Sequence, residues 1–228
     1  TLEVANRLKV LLEQHEFKVF LVRDNLEPVT SDRPIDFEEP AKKWAEDRLG
    51  KNADAKDIQK MTQKRREMLF YRISEINARA RRINQEFRPD LVLCLHLNAA
   101  PWQDKENLEL VDRNDYHLLV NGCYMGGELA YDDQRFEMVF RLLSSWHEIE
   151  RRLAEHLCHA FAEKTNLPAF AYKGPNALKI GQVPGVWARN LLANRIYNGP
   201  VLYLEPYIAN SKTEYQRIQM GNFLGTQE

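Results

Sequence analysis

The chain has 228 residues, 44% hydrophobic and 29% charged, which is the composition of a globular protein with a sizeable core. Thirty-two Lys and Arg nearly balance thirty-three Asp and Glu, for a formal net charge of -1, so no overall basic field exists to attract nucleic acid. The apolar runs are far too short for a membrane span, and no signal peptide is evident. Local basic runs such as Lys64-Arg65-Arg66 and Arg81-Arg82 sit among acids and read as solvated helix faces. Cys94, Cys123 and Cys158 form no CxxC, and Cys94 reads as a buried thiol in an apolar strand.

Leu2, Ala5, Leu8, Leu11 and Leu12 recur with a helical period, and Phe17 to Val22 then reads as a strand. Residues 25 to 40 hold several prolines and acids and read as a loop. Residues 41 to 87 are helical in pattern and rich in charge, broken near Gly50 and Asn52. The second helix carries Met68, Leu69, Ile73, Ile76 and Ile83 as one apolar stripe.

After the Arg88-Pro89-Asp90 turn, Leu91 to Leu95 is a continuous apolar strand of the kind buried on both faces of a parallel sheet. A polar loop runs to about residue 115, and His117 to Val120 is a short strand. Residues 132 to 165 form a long amphipathic helix with a break at Ser144-Ser145, and Trp187 to Ile196 reads as a short helix. Val201 to Leu204 is a final buried strand, followed by Ser211 as a helix N-cap with Glu214 completing a capping box. Strands alternate with helices. The expectation is a single α/β domain over residues 1–228: a three-layer fold with a mostly parallel or mixed sheet and a charged helical insertion at about 37–65.

Functional groups in such sheets gather at the carboxyl ends of strands. His96 directly follows Leu91 to Leu95, and Glu205 directly follows Val201 to Leu204. An imidazole there can bind metal or move protons. A carboxylate there is costly to bury unless it is paired or working. Each also has a structural reading, as a satisfied strand-end histidine or a salt-bridged strand end. Together they suggest a shared hydrolytic site, with a histidine on zinc and a free glutamate carrying protons.

Four stretches, in order, carry a family resemblance. Asp90-Leu-Val-Leu-Cys-Leu-His96-Leu-Asn98-Ala99 resembles the "aDLfiSiHaNA" signature of zinc-dependent N-acetylmuramoyl-L-alanine amidases of the amidase-3 type. Residues 2–12 with Phe17 to Asp24 resemble the family's first helix and strand, Arg72 to Asn77 its "R...AN" helix, and Val201 to Asn210 its "vLvE.GFlsN" strand end. The resemblance implies Zn2+ held by two histidines and a glutamate, with His96 as the last histidine ligand and Glu205 as the catalytic glutamate. Asn98 is a candidate for substrate contact or a turn-forming residue. The implied substrate is the amide between N-acetylmuramic acid and L-alanine in peptidoglycan, in the periplasm or outside the cell, with room for a regulatory protein partner.

The family's "DpGHGG" strand and the glutamate after it have no counterpart here, and Glu3 reads as a surface helix residue. Either a portion bearing the first ligands is missing or this branch has lost the site; the abrupt helical start favours the former. Two other readings stay open: an amidase-like binding module for cell-wall fragments or a protein partner, and a related zinc exopeptidase. His156 and His159 lie three apart on a helix beside Cys158, but no further ligands accompany them. His147-Glu148 is followed by Arg151-Arg152 where a zincin needs its second histidine. Gly122, Gly126 and Gly127 lack the spacing of a phosphate loop and read as a turn. Trp102, Tyr124, Trp187 and Tyr207 are candidates to line a sugar-peptide groove, or simply to pack.

Overall fold

The computed structural model describes residues 1–50, 53–102 and 108–221. Asn52, expected at the helix break, and residues 103–107 of the expected polar loop lie outside them. Backbone contacts divide the chain into two compact units. One comprises Leu2–Pro89 with Ile196–Asn198; the other comprises Asp90–Arg195 and the chain from Gly199 onward.

Among its described residues, the first unit has helices and no strands. Helix α1 spans Leu2–Gln14. Phe17 to Val22, expected as a strand, joins no ladder, because no strand among the described residues of this unit offers it an edge. Side chains hold it instead: Phe20 stacks on Phe87 with ring centroids 4.8 Å apart, and Arg82 donates to the Val22 carbonyl at 2.9 Å.

The expected charged insertion forms two helices. Helix α2 (Glu38–Leu49) stops at Gly50, whose φ of 85° suits a residue without Cβ. Helix α3 (Ala55–Glu67) starts at Asp54, whose carboxylate accepts from the Lys56 N–H at 2.7 Å. Fully buried Ala41 and Ala45 let α2 approach its neighbour closely. The Arg48 and Arg65 guanidinium groups both lie over the Trp44 ring.

Beyond α3 the helix widens into π turns over Met68–Ser74, narrows to α4 (Glu75–Arg81), and widens again over Arg82–Phe87. Each π turn adds a residue per turn and rotates the faces that follow. The buried positions are therefore Phe70, Ala78, Ala80 and Ile83, while Ile73 of the expected stripe is exposed. Glu75, also buried, is the polar anchor of this unit. Its Oε2 accepts from the Val29 and Thr30 N–H groups at 2.8 and 3.0 Å, and its Oε1 pairs with Arg79 at 2.7 Å.

The second unit is built on a mixed five-stranded sheet. Its strands are β1 (Val92–Leu95), β2 (His117–Asn121), β3 (Leu178–Lys179), β4 (Val186–Arg189) and β5 (Val201–Glu205), in the order β1-β5-β2-β4-β3. The pairs β1–β5 and β2–β4 are parallel, and β2–β5 and β3–β4 antiparallel. Helices α5 (Asp132–Ser144), α6 (Trp146–Thr165), α7 (Leu192–Ile196) and α8 (Lys212–Met220) complete the elements. The α/β class and the mixed sheet agree with the sequence reading. The expected break between α5 and α6 falls at Ser145, which has a φ of 57°.

Two local expectations are corrected. The segment expected as a helix from Trp187 to Ile196 is strand β4 followed by the short α7, because β2 offers residues 186–189 a parallel edge. Ser211 stands at the N-cap of α8 but makes no side-chain cap. Glu214 turns instead to Asn114 and Arg217, at 3.0 and 2.7 Å.

Strand alternation divides the sheet into two functional faces. Leu118, Val120, Val186, Ala188, Leu202 and Leu204 form a buried cluster with Ala154 and Cys158 of α6, and Leu153, Leu157 and Phe161 of the same helix pack on it. A Cβ at Gly185 (φ 94°) would meet Tyr116, Ala169 and Cys158 at 3.0 to 3.3 Å, so this corner closes only around glycine. Buried Glu150 pairs with Arg141 and accepts from the Val201 N–H at 2.8 Å, tying the start of β5 to α6. Burial raises the Glu150 pKa, and the Arg141 charge and the Val201 bond oppose that rise. No helix of the described residues is long and apolar enough to cross a membrane.

Each core is open to a direct measurement. Glu75→Ala leaves the Thr30 N–H buried without an acceptor and should cost about 1–3 kcal/mol, read as a lower urea midpoint at unchanged m-value. Burial, with some help from Glu155, pushes the Cys158 thiol up to about 12 from an ordinary value of 9.0. Cys158 should therefore resist iodoacetamide at pH 8 in the native protein and react once unfolded, as read by mass spectrometry. The unfolded thiol loses its proton before the folded one, so this group should lower stability as pH rises from about 9 toward about 12.

Candidate functional site

The face of the sheet opposite α6 carries the polar groups. In β5, Leu202 and Leu204 turn toward α6, so Tyr203 and Glu205 turn away from it. In β4, Val186 and Ala188 face α6 and leave Trp187 and Arg189 on the other side. Strand β1 runs parallel to β5 with Leu95 opposite Leu204, and the His96 N–H donates to the Leu204 carbonyl at 2.9 Å. His96 thus leaves β1 beside the end of β5. Its Nδ1 lies 3.3 Å from Glu205 Oε1, and its ring is 5.5 Å from that of Tyr203. The two residues that the sequence marks as strand-end candidates do meet.

A third residue, His117, joins them without any mark in the sequence reading. Because β2 is antiparallel to β5, its first residue lies at the carboxyl end of β5, and His117 pairs in register with Glu205. The His117 side chain is fully buried, and its Nε2 lies 2.9 Å from Glu205 Oε2. The Tyr172 hydroxyl is 2.9 Å from the same nitrogen, and Arg189 donates to that hydroxyl at 3.4 Å. The Phe170 and Tyr172 rings pack on His117 with centroids 5.1 and 5.3 Å away. Trp187 packs edge-on against Tyr172 and donates its indole N–H to the Phe170 carbonyl at 3.0 Å. Beside them, Arg113 pairs with buried Asp115 and lies 4.4 Å over the Phe170 ring. The sequence signal for His117 is a histidine opening an apolar strand; it becomes meaningful only once that strand is known to run backwards.

Burial acts to raise the pKa of Glu205. Hydrogen bonds to His117 and His96, with the charges of the same rings, outweigh it and bring the carboxyl down to about 2. Glu205 is therefore an ionised acceptor at neutral pH, gripped on both oxygens. Burial foremost raises the Tyr172 pKa; the Arg189 bond opposes this and the Glu205 charge adds to it, so the phenol stays protonated. His96 is half exposed and forms the open side of the site.

The remaining candidates take varied positions. Asn98 extends the β1–β5 pairing: its N–H donates to the Tyr207 carbonyl at 3.1 Å, and its carbonyl accepts from Ala209 at 2.7 Å. Its side-chain oxygen accepts from the Ala99 N–H at 2.8 Å. Asn210 clamps Ala100 with two bonds of 2.8 and 3.0 Å, bracing the loop after His96. Of the aromatic candidates, Trp187 joins the site through Tyr172, Tyr124 donates to Asn121 at 2.9 Å, Trp102 is exposed and Tyr207 is half-buried. His156 and His159 are both exposed on α6.

A hydrolytic zinc site needs three protein ligands and an open position. Half-exposed His96 has the donor chemistry for one ligand. His117 Nε2 is engaged with Glu205 Oε2 and Glu205 Oε1 with His96 Nδ1, and among the described residues no group of three or more His, Cys, Asp or Glu side chains is arranged to hold a metal ion. The described residues do not complete a zinc site.

No protein-family model matches the chain, and no curated protein matches it. Among solved structures it is similar to the N-acetylmuramyl-L-alanine amidase Ami1 from Mycobacterium smegmatis, at 16% identity and a TM-score of 0.38, over 64% of this chain and 51% of that one. The likeness thus spans about half the length of that amidase. At this level it contributes nothing to the assignment of the site.

Removing the carboxylate should be felt in the fold as well as the chemistry. Glu205→Ala leaves the buried His117 Nε2 without its anionic partner and should cost about 1–3 kcal/mol, read as a lower melting temperature with unchanged far-UV circular dichroism.

Proposed function

We propose that this site hydrolyses the amide joining N-acetylmuramic acid to the L-alanine of the peptidoglycan stem peptide. The observation that carries this reading is the convergence of His96 and Glu205, at the ends of two adjacent parallel strands, on one partly open face. The four ordered motif resemblances across residues 2–210 support the choice of substrate. A substrate of this kind places the protein in the periplasm or outside the cell. Zinc belongs to the proposal with His96 as the one ligand the described residues offer; bound there with further ligands, it would supply Lewis acidity toward the carbonyl.

The chain's own residues account for the proton traffic. Glu205, ionised at neutral pH, takes a proton from the water that adds to the lactyl carbonyl carbon. It then delivers that proton to the departing amine nitrogen as the C–N bond breaks. The products are the lactyl carboxylic acid and the free amino terminus of the stem peptide. The bonds that hold Glu205 acidic also weaken it as a base. The open side of the carboxylate is Oε1, whose partner His96 is half exposed. Asn98, at the strand end beside His96, is the proposed substrate contact.

Purified peptidoglycan incubated with the protein should release stem peptides with free amino-terminal L-alanine, and metal analysis should find zinc. His96→Ala and Glu205→Ala should each lower release by about 100-fold or more, the scale of a lost acid–base group, with zinc content falling in the His96 variant. Absence of release and of zinc in the parent protein would favour a binding module for cell-wall fragments.

A further inference from the structure

His117 takes no direct part in the reaction just described, yet it is closely constrained. It is fully buried, and two aromatic rings fix its plane. Its backbone is paired in register with that of Glu205, so the ring and the carboxylate share one ladder position. Its Nε2 faces Glu205 Oε2 and the Tyr172 hydroxyl, both at 2.9 Å, and Arg189 lies behind the hydroxyl. Its Nδ1 is buried and has no hydrogen-bond partner among the described residues. All of its polar contacts are thus made at one nitrogen. A carboxylate 2.9 Å from Nε2 favours the tautomer in which Nε2–H is the donor.

The two oxygens of Glu205 are therefore not equivalent. Oε2 is bound to a group that cannot move without disturbing the Phe170, Tyr172 and Trp187 packing. Oε1 is bound to a ring that is half exposed. We propose that His117, backed by Tyr172 and Arg189, is a positioning residue that anchors Glu205 Oε2 and leaves Oε1 as the oxygen that exchanges the proton. This rests on the reading of Glu205 as the proton carrier. It predicts that the loss of His117 is felt in turnover and not in substrate binding, because His117 itself is walled off from solvent.

The test uses the full chain with His117→Phe, which keeps bulk and removes the donor, and His117→Gln, which restores an N–H. On peptidoglycan, His117→Phe should lower kcat by about 10–100-fold, the usual effect of removing an outer supporting partner, with KM nearly unchanged, and His117→Gln should recover part of the loss. A His117→Phe variant that folds and keeps kcat within about threefold of the parent overturns the proposal, as does a glutamine variant no better than phenylalanine; the threefold limit lies well inside that 10–100-fold range.

A second measurement does not depend on activity or on the folding of a core variant. In protein carrying 15N-labelled histidine, His117 should show a protonated Nε2 whose resonance shifts in Glu205→Gln. An unprotonated Nε2, or a resonance indifferent to Glu205, overturns the anchoring contact. If the parent protein releases no stem peptide while the Nε2–H signature is present and responds to Glu205, the assigned activity fails and the anchoring contact stands.

Discussion

A carboxylate taken out of water needs donors on the oxygens it can no longer hydrate, and Glu205 is the residue on which this requirement falls hardest. It lies at the last position of β5, almost wholly buried, and each oxygen meets an imidazole. The donors come from the strands on either side of β5 in the sheet, His96 just past the end of β1 and His117 at the start of β2. The second is backed in turn by Tyr172, Arg189 and Trp187. Much of this face can be understood as what is required to keep one ionised carboxylate satisfied, with an open side where work can be done.

The same sheet separates that task from the job of holding the unit together. Alternation along β2, β4 and β5 assigns one set of side chains to the cluster under α6 and the other set to the site. The aliphatic side needs only volume and shape. The opposite side is specified atom by atom, with distances set by the ladder. The first unit shows a parallel division: its helices rest on small alanines and a π-widened axis, while one buried glutamate, Glu75, fastens the 29–30 segment.

Much of this is readable in the sequence. The apolar runs before His96 and Glu205 mark two buried strands and their carboxyl ends, since an unbroken run of five or four apolar residues is what a strand covered on both faces requires. Gly50 and Ser145 fall where helices end. What escapes is relational. Strand direction is not encoded in a single run of residues, so His117 looks like the harmless start of a strand when it is the partner of Glu205. Residues 187–189 read as the start of a helix because their pattern is too short to distinguish from one, and a waiting edge on β2 decides the matter. The stripe on the second helix departs from expectation because π turns change the period on which the reading depends. Phe17 to Val22 has the composition of a strand and lacks only a neighbour.

The in-register pairing of β2 with β5 has one more implication. Side chains alternate faces at every residue, so a slip of one position would carry His117 to the α6 side and set Tyr116 or Leu118 against Glu205. That slip would expose an imidazole to an aliphatic cluster and leave a buried anion facing a ring or a hydrocarbon. Misalignment therefore cannot degrade the site quietly while sparing the interior. The site acts as a checksum on folding: a molecule in which both imidazoles reach the carboxylate is one in which the central strands have found their proper alignment.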